Sequence, residues 1–371
     1  MPQENLFILF SDFGLGGVQR KIVDIANYIS ISKKYENITT HVILKHKSEV
    51  SFEKYLIKEK RVVVHYQIRL PIFRRLEIFF QNLEFLFLYL KYHPKNTFVF
   101  FHYNLPQLLL AKMFFYRQLN IIVGQDNILS LYNKPPHITR CFPNFFISFL
   151  FSLSSLVITQ TSFAKNDLME NYFLSPNKIL VIPNWAVDAG GMSGRKEIEL
   201  IYCGRFAPQK RMDRMLKVFY GVKKVLPKAK LVLVGQGSEE KKIKKMIKEM
   251  ELTKNVVLKP TTFFLNEELT RASLFILTSD FEGQPMVLLE AMLLKVVPVI
   301  LNYPAANEYI IKGYDGFIED TINDLTKRII FLLSHQKIRK KIGENARDTV
   351  LKKYNKERIE QTIKAIRSSS D

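Results

Sequence analysis

The chain has 371 residues, 47% of them apolar and 24% charged, which excludes a disordered or fibrous protein and favours two domains with separate cores. The formal net charge of +20 predicts anionic partners such as phosphorylated ligands or an acidic membrane surface. The basic residues are spread over both halves without a nucleic-acid-binding motif, so we expect no nucleic acid partner. Cys141 and Cys203 are far apart, which predicts neither a disulfide framework nor a zinc site and fits a reducing cytoplasm.

The N-terminal segment, MPQENLFILFSDFG, has a short apolar run and no basic leader, so we expect no secretory signal. LFILF predicts a strand, GLGGV a glycine turn and VQRKIVDIANYI a helix. Gly14, Gly16 and Gly17 could belong to a dinucleotide fingerprint. However, Gln19 stands at the third glycine position of that motif and no acidic residue follows at the usual distance. An NAD-dependent oxidoreductase is therefore poorly supported, and a tight turn that needs glycine explains the stretch as well.

Further strands are predicted at THVILK, RVVVHY, TFVFFH, NIIVGQ and LVITQT, with helical segments between them. This alternation is typical of a doubly wound parallel sheet. His102 ends one of these strands and Asp126 follows the next, so both are expected at the carboxyl edge of the sheet, where ligands bind. A lone histidine is more often structural, so a structural role for His102 is the equal alternative to ligand binding.

The segment KEKRVVVHYQIRLPIFRRLEIFFQNLEFLFLYLKY interleaves basic residues with Phe, Leu and Tyr. Such a composition suits a helix that lies on an anionic bilayer. An ordinary core helix with a basic outer face is the alternative.

Residues 141–164 carry no charge, a length that could cross a bilayer. We favour dividing the stretch into an apolar helix, FPNFFISFLFSL, a serine break and a buried strand, LVITQT. The spanning helix remains the minor alternative.

The stretch PNWAVDAGGMSGRKE is the best candidate for a linker, because its composition turns small and polar. After it the strand and helix alternation resumes with LIYCG, LVLVG, NVVLK, LFILT, VVPVI and GFI as strands. We therefore predict an N-terminal domain at residues 1–187, a second one at 188–352 and a final helix at 353–371.

The stretch SDFEGQPMVLLEAM, residues 279–292, contains two carboxylates among residues that are otherwise typical of a buried segment. Glu282 is predicted at a strand end and Glu290 inside the following helix, whose N-terminus suits a phosphate group. Carboxylates accept hydrogen bonds from paired sugar hydroxyls. A nucleotide-sugar would therefore supply partners for both carboxylates and a phosphate for the helix N-terminus. The plain alternative makes Glu282 a helix-start acid and Glu290 a surface residue, but the latter lies among apolar residues.

EGQPMVLLE closely resembles the E-x7-E motif of the retaining GT-B glycosyltransferases of family four. CGRFAPQKRMDRMLKVF is similar to the family's segment in which a Gly-Arg pair is followed by a lysine, LVLVGQGSEE to its glycine turn near the base, and VITQTSFAKNDLMENYFLSPNKILVIPNWAVD to its stretch before the interdomain linker. The resemblance extends over nearly the whole chain. It implies an α/β GT-B fold of two facing Rossmann-like domains with a ligand cleft, and a final helix that crosses back to the first domain.

The resemblance implies a retaining hexosyl- or N-acetylhexosaminyl-transfer from a UDP- or GDP-linked sugar to a lipid-linked saccharide in bacterial O-antigen or capsule synthesis. Arg205 and Lys210 would neutralise the leaving diphosphate, Glu282 would hold the donor sugar and Glu290 the ribose, while His102 is a further catalytic candidate. The expected substrate-binding residues are Glu290, Gly16, Gly17, Gly235, Gly283, Gln284, Pro285, Met286, Val287 and Asp126.

We expect no cofactor and no metal, because no D-x-D motif is present and Asp280-Phe-Glu282 only approximates one. The sequence departs from the family at Asp126 and Asn127, where a histidine is common, at Lys295 and Pro260, and in NYPAANE before Glu308. Cytoplasmic location at the inner face of the membrane follows from the implied acceptor. A GT-B epimerase, a pyridoxal-phosphate-dependent phosphorylase and a non-catalytic basic membrane-surface protein are the alternatives.

Overall fold

In a computed structural model of the chain, the residues described are 3–10, 16–45, 47, 52–56, 61–69, 74–100, 112, 119–132, 144–188, 198–261 and 265–368. They form two α/β units, each built on one parallel sheet. The first unit uses strands between residues 4 and 181, and the second uses strands between residues 198 and 319. His102, Gly14 and Cys141 lie outside the described residues.

The first sheet has the order β3-β2-β1-β4-β5-β6-β7, and all neighbouring strands are parallel. Its strands are Glu4–Phe10 (β1), Ile38–Leu44 (β2), Val62–Tyr66 (β3), Asn96–Phe100 (β4), Asn120–Gln125 (β5), Leu156–Thr159 (β6) and Ile179–Val181 (β7). The central strands are buried on both faces, as their continuous apolar runs predict. Of these strands, only β7 is missing from the prediction.

The second sheet has the order β10-β9-β8-β11-β12-β13, again parallel throughout. Its strands are Ile198–Cys203 (β8), Leu231–Val234 (β9), Val256–Lys259 (β10), Ala272–Leu277 (β11), Val297–Leu301 (β12) and Phe317–Glu319 (β13). In each sheet the strand order reverses once, between β1 and β4 and between β8 and β11. Ligands of doubly wound sheets bind at such switch points.

The helices that cover the sheets are Gly17–Ile31 (α1), Arg74–Tyr92 (α2), Leu129–Tyr132 (α3), Asn144–Ser152 (α4), Ser162–Tyr172 (α5), Met212–Val225 (α6), Glu240–Glu249 (α7), Leu265–Arg271 (α8), Met286–Leu293 (α9), Ile322–Ser334 (α10), Gln336–Lys353 (α11) and Glu357–Ser368 (α12). Pro285 is the N-cap of α9, with extended backbone angles, and directly precedes the first helical residue, Met286.

The uncharged stretch 141–164 contains α4 and β6, which confirms the predicted division into a helix and a strand over its described part. Within the ranges given above, no helix is both long and apolar enough to span a bilayer.

Two different cores flank the first sheet. One joins the sheet to α1 and α12, with Ile359, Ile363 and Ile366 of α12 fully buried in it. The other joins the opposite face to α2 and α4. The final helix therefore lies against the first unit, although it follows the second unit in the chain. Trp185, the single tryptophan, belongs to the core with α12 and is fully buried.

A pair of histidines, the buried His41 and the half-buried His65, joins β2 to β3. His41 Nδ1 lies 3.0 Å from His65 Nε2, and His41 Nε2 lies 3.1 Å from the side-chain oxygen of Asn5. The Asn5 amide donates to the Tyr92 carbonyl of α2 at 2.6 Å. Burial, and then the neighbouring His65, lowers the pKa of His41 from 6.5 to about 4. Burial, and then Lys91, lowers the pKa of His65.

Acidification should weaken the first unit through His41. Because its pKa is lower in the folded chain, the neutral ring contributes stability above pH 6.5 that is lost as the pH falls to about 4. The free energy of unfolding that His41 contributes at the higher pH and loses at the lower pH is on the order of 3 kcal/mol. Urea unfolding followed by Trp185 fluorescence measures the free energy of unfolding at each pH. Between these pH values, His41→Gln should lose less of this free energy than the parent does. His335→Gln, at an exposed histidine of the second unit, should keep the parental slope, and equal slopes for all three proteins would contradict the assignment.

Candidate active site

A cavity of about 480 Å³ lies between the two units, at the carboxyl ends of both sheets. Volumes of about 300–1,000 Å³ are usual for small-molecule sites. Its first wall comes from the first unit and the chain that leaves it: Gly16, Gly17, Val18, Arg20, Lys21, Asp126, Asn127 and Asn184. Its second wall comes from loops after β8, β9, β10 and β11, and includes Arg205, Lys210, Gln236, Gly237, Thr261, Leu265, Glu282 and Glu290.

Glu282 lies in the loop between β11 and α9 and is buried. Its Oε1 accepts hydrogen bonds from Lys210 Nζ at 2.5 Å and from Ser279 Oγ at 2.6 Å. A buried carboxylate needs such partners, because removal from water penalises the unpaired charge. The opposite charges of Lys210 and Glu282 therefore compensate each other, and both side chains still line the cavity.

Lys210 is positioned by two contacts between the loop after β8 and the end of β11. Gln209 donates from Nε2 to the Phe281 carbonyl at 2.6 Å, and the Thr278 hydroxyl donates to the Lys210 carbonyl at 3.3 Å. Arg205, in the same loop, is exposed and makes no ion pair within the described part of the chain. The second wall thus has one cation engaged with a carboxylate and another available for an anion.

Glu290 lies within α9 and faces Arg20 of α1 across the cavity. Burial raises the pKa of Glu290 above its usual value, while the opposing charge of Arg20 lowers it and that of Asp24 raises it. Arg20 Nε also donates to Asp24 Oδ1 at 3.4 Å. Because α9 starts at the cavity, its first amide groups add hydrogen-bond donors for an anion.

The two walls approach each other through residues without bulky side chains. A Cβ at Gly283 would lie 2.2 Å from the Asp126 carbonyl oxygen, so only glycine fits there. Beside it, the Asn184 amide nitrogen donates to Gln284 Oε1 at 2.6 Å, and Asn184 Nδ2 donates to the Gln284 carbonyl at 2.7 Å. Gly17 of α1 faces Met286, the first residue of α9.

The structure brings together most of the residues expected from the sequence. The cavity is lined by Arg205, Lys210, Glu282, Glu290, Gly16, Gly17, Gly283, Gln284, Pro285, Met286, Val287 and Asp126. Gly235 instead supports packing, because a Cβ there would lie 2.0 Å from the Gly204 carbonyl oxygen, and its neighbours Gln236 and Gly237 line the cavity. His102 lies outside the described residues.

Sequence reasoning missed Arg20, Lys21, Asn184 and Thr261. Arg20 and Lys21 follow the glycine turn by one helical turn, and this spacing could have placed them near the same ligand. Asn184 lies in the quoted I-P-N stretch, but its double contact with Gln284 depends on how the units meet. Thr261 has no signal in the sequence that we can identify.

Residues 191–349 match the model of the family described as Glycosyl transferases group 1. Among curated proteins, the chain is 32% identical to a poly(ribitol-phosphate) alpha-N-acetylglucosaminyltransferase of Staphylococcus aureus over 162 residues, which are 43% of this chain and 33% of that protein. It is 30% identical to a poly(glycerol-phosphate) alpha-glucosyltransferase of Bacillus subtilis over 181 residues, 48% of this chain and 26% of that protein. The chain thus matches a third or less of the length of these two relatives.

Another relative is similar over almost its whole length. The N-acetylgalactosamine-N,N'-diacetylbacillosaminyl-diphospho-undecaprenol 4-alpha-N-acetylgalactosaminyltransferase of Campylobacter jejuni is 23% identical over 368 residues, 96% of this chain and 97% of that protein.

Solved structures share the fold over nearly the whole chain. HepE of Anabaena in complex with UDP and glucose has a TM-score of 0.78 at 16% identity, covering 99% of this chain and 100% of that one. TarM has a TM-score of 0.76 at 14% identity, covering 98% of each chain. These similarities confirm the GT-B fold expected from the sequence.

Gly283→Ala should disturb the contact between the walls, because the added methyl group would collide with the Asp126 carbonyl. We expect a loss of about 1–3 kcal/mol in the free energy of unfolding, as overpacked sites show, measured by urea unfolding with Trp185 fluorescence. Gly17→Ala is the matched control, since a Cβ there lies 3.8 Å from Met286 in ordinary contact. Equal stability of both variants would show that the walls do not meet at Gly283.

Proposed function

We propose that the chain is a retaining glycosyltransferase of the glycosyl transferases group 1, the family whose model matches its residues 191–349. It moves a hexosyl or N-acetylhexosaminyl group from a UDP- or GDP-linked donor to a hydroxyl of a lipid-linked saccharide. The product belongs to a bacterial surface polysaccharide of the O-antigen or capsule type.

One observation carries the proposal. Arg205, Lys210, Glu282 and Glu290 line a single cavity together with the glycine turn at the start of α1. The cavity therefore offers two cations for a diphosphate and two carboxylates for hydroxyl groups, which are the complementary parts of a nucleotide-sugar. A non-catalytic surface protein would have no need for this convergence of charges in an enclosed space.

Departure of the diphosphate is the step that Arg205 and Lys210 assist. When the bond between the anomeric carbon and the phosphate oxygen breaks, its electron pair moves to the diphosphate. Cations already in place stabilise this developing charge, together with the N-terminal amides of α9. Lys210 then exchanges part of its contact with Glu282 for the phosphate. The acceptor hydroxyl attacks the same face of the sugar and transfers its proton to the departing phosphate oxygen, which retains the configuration.

Glu282 and Glu290 orient the donor. Glu282, whose Oε1 is held by Ser279 and Lys210, accepts hydrogen bonds from hydroxyls of the transferred sugar. Glu290, in the middle of α9, accepts those of the ribose. Asp126 contacts the sugar from the opposite wall. The reaction is proposed to proceed without a metal, because the carboxylate of Asp280 is held in ion pairs by Arg211 and Arg214 at 3.1 and 2.9 Å.

The comparisons support the donor and acceptor classes. HepE was solved with UDP and glucose, and the Campylobacter jejuni relative acts on a diphospho-undecaprenol-linked saccharide, as their names state. A UDP-linked donor and a polyprenyl-diphosphate-linked acceptor are therefore the first substrates to test.

Such an acceptor places the enzyme at the inner face of the cytoplasmic membrane, and α2 offers a surface for that contact. One side of α2 is buried through Phe85, Leu88 and Tyr89. The other side exposes an apolar stripe at helical spacing, made of Leu76, Phe79, Phe80, Leu83, Phe87 and Leu90. The predicted alternative, a core helix with a basic outer face, does not describe this stripe.

Helix α4 extends the apolar surface. It packs on the same face of the first sheet as α2, and it exposes Phe145 and Phe149, with 75% of Phe145 accessible. Exposed aromatic side chains on a protein of net charge +20 are suited to an anionic bilayer, where they enter the interface while basic groups meet the headgroups.

Release of UDP or GDP should require both a nucleotide-sugar and a polyprenyl-diphosphate-linked saccharide. Arg205→Ala and Glu282→Ala should each lower kcat by about a hundredfold or more, because each removes a charged contact made to the reacting donor. Lys217→Ala, at an exposed lysine of α6 in the same unit, is the control and should retain parental turnover. Turnover within a few-fold of the parent in both cavity variants would show the site assignment to be wrong.

Replacement of Phe79 and Phe87 by serine should weaken binding to vesicles that contain phosphatidylglycerol by at least about tenfold, since each side chain loses its apolar burial in the interface. Vesicle sedimentation measures this binding. Tyr220→Ser, at an exposed aromatic residue of α6, is the control. If neither added salt nor omission of the anionic lipid reduces binding of the parent, the proposed membrane contact is incorrect.

A further inference from the structure

Lys21 is a buried lysine in the wall of the donor cavity. Only 3% of the residue is exposed, although it lies one position after the half-buried Arg20 on α1. Its ammonium group lies 2.6 Å from Asp126 Oδ1, 5.8 Å from the ring centre of Phe100 and 5.7 Å from that of Trp185. A lysine is rarely buried so fully unless its charge has a specific partner, and here that partner is Asp126.

Asp126 uses only one carboxylate oxygen in this contact. Its second oxygen, Oδ2, is buried and has no hydrogen-bond partner among the residues that the structure describes. A buried polar atom without a partner is costly, and such atoms are uncommon in folded proteins. Because Asp126 lines the cavity, a ligand that enters it can supply the missing donor.

The main chain of Asp126 holds the carboxylate close to the reacting region. Its carbonyl oxygen touches Gly283, the residue that follows Glu282. Two lysine–carboxylate pairs thus face each other from opposite walls, Lys21 with Asp126 and Lys210 with Glu282. Both carboxylates keep an oxygen that the lysine does not bind.

Lys21 is itself fixed by the structure around it. Trp185, which flanks its ammonium group, donates from Nε1 to Asp24 Oδ2 at 2.9 Å, and Asp24 also accepts from Arg20. Arg20 in turn faces Glu290. Contacts along the first wall therefore join Arg20 through Asp24 and Trp185 to Lys21 and Asp126, while the charge of Arg20 also acts on Glu290 in the second wall.

We propose that Lys21 is a positioning residue that fixes the side chain of Asp126 so that Oδ2 accepts a hydrogen bond from one hydroxyl of the transferred sugar. The inference rests on the proposed function and deepens it, because it assigns the recognition of one sugar hydroxyl to the first wall. A carboxylate oxygen can only accept hydrogen bonds. The pair therefore selects a donor sugar that carries a hydroxyl at this position over one that lacks it.

A purely structural ion pair predicts something different. If the pair served stability alone, an apolar side chain between the rings of Phe100 and Trp185 together with a neutral residue at position 126 would replace it with little loss. If it serves recognition, the same exchange restores the fold but not the discrimination between sugars. The two roles can be separated by comparing single and double variants.

The experiment uses the full chain with Lys21→Met, Asp126→Asn and the double variant Lys21→Met/Asp126→Asn. Binding of UDP, GDP, UDP-glucose, UDP-N-acetylglucosamine and GDP-mannose is measured by calorimetry, and the tightest nucleotide-sugar is then compared with its monodeoxy analogues. Thermal unfolding reports the stability of each variant. Lys34→Met is the matched control, because Lys34 forms an exposed ion pair with Glu360 far from the cavity wall.

We expect one monodeoxy analogue to bind the parent about tenfold more weakly than the complete sugar, as loss of a hydrogen bond to a charged group predicts. In Lys21→Met and in the double variant this difference should fall to about twofold or less, while affinity for the free nucleoside diphosphate stays within about twofold of the parent. The double variant should regain thermal stability that Lys21→Met loses, since no unpaired buried carboxylate remains. Lys34→Met should bind every ligand as the parent does.

Three results would overturn the inference. Parental discrimination among the monodeoxy analogues in Lys21→Met would show that Lys21 does not position Asp126. Recovery of discrimination together with stability in the double variant would assign the pair a structural role only. Failure of every nucleotide-sugar to bind the parent would refute the proposed function itself, and with it this inference, whereas the first two results leave the proposed function intact.

Discussion

The close approach of Gly283 to the Asp126 carbonyl is the constraint on which the site depends. Here the carboxyl edges of two separate sheets meet without an intervening side chain. The paired contacts between Asn184 and Gln284 hold the same junction with hydrogen bonds. Because both edges carry the loops that bear charged residues, bringing them together at this point creates the enclosed cavity and sets which charges face each other across it.

Charge compensation explains how the walls of the cavity can hold several ionisable groups. Glu282 is paired with Lys210, and Asp126 with Lys21, so each of these two carboxylates has its own cation. An unpaired charge in such a setting would be strongly destabilising. Arg205 differs, because it is exposed and makes no ion pair among the described residues. Glu290 also differs, because burial raises its pKa and Arg20 acts on it only through its charge.

The two faces of the sheet in the first unit are covered by different helices. One face of its sheet is covered by α1 and by α12, the helix that returns from the end of the chain. The opposite face is covered by α2 and α4, whose outer surfaces remain apolar. The cavity lies at the carboxyl edge of this sheet. The first wall of the cavity and the apolar surfaces of α2 and α4 therefore belong to the same unit.

The sequence alone determined the alternation of strands and helices, the E-x7-E segment and the G-R-x4-K segment of residues 204–210, and hence the second wall, because these features depend on local periodicity and on residues close in the chain. It missed β7, which is only three residues long, and it placed Gly235 on the cavity although that residue packs on Gly204. The tertiary structure alone decided that Lys21 meets Asp126, that Asn184 binds Gln284 and that α2 is apolar on its outer side. Each of these depends on side-chain direction and on contacts between residues distant in sequence, which local patterns do not specify.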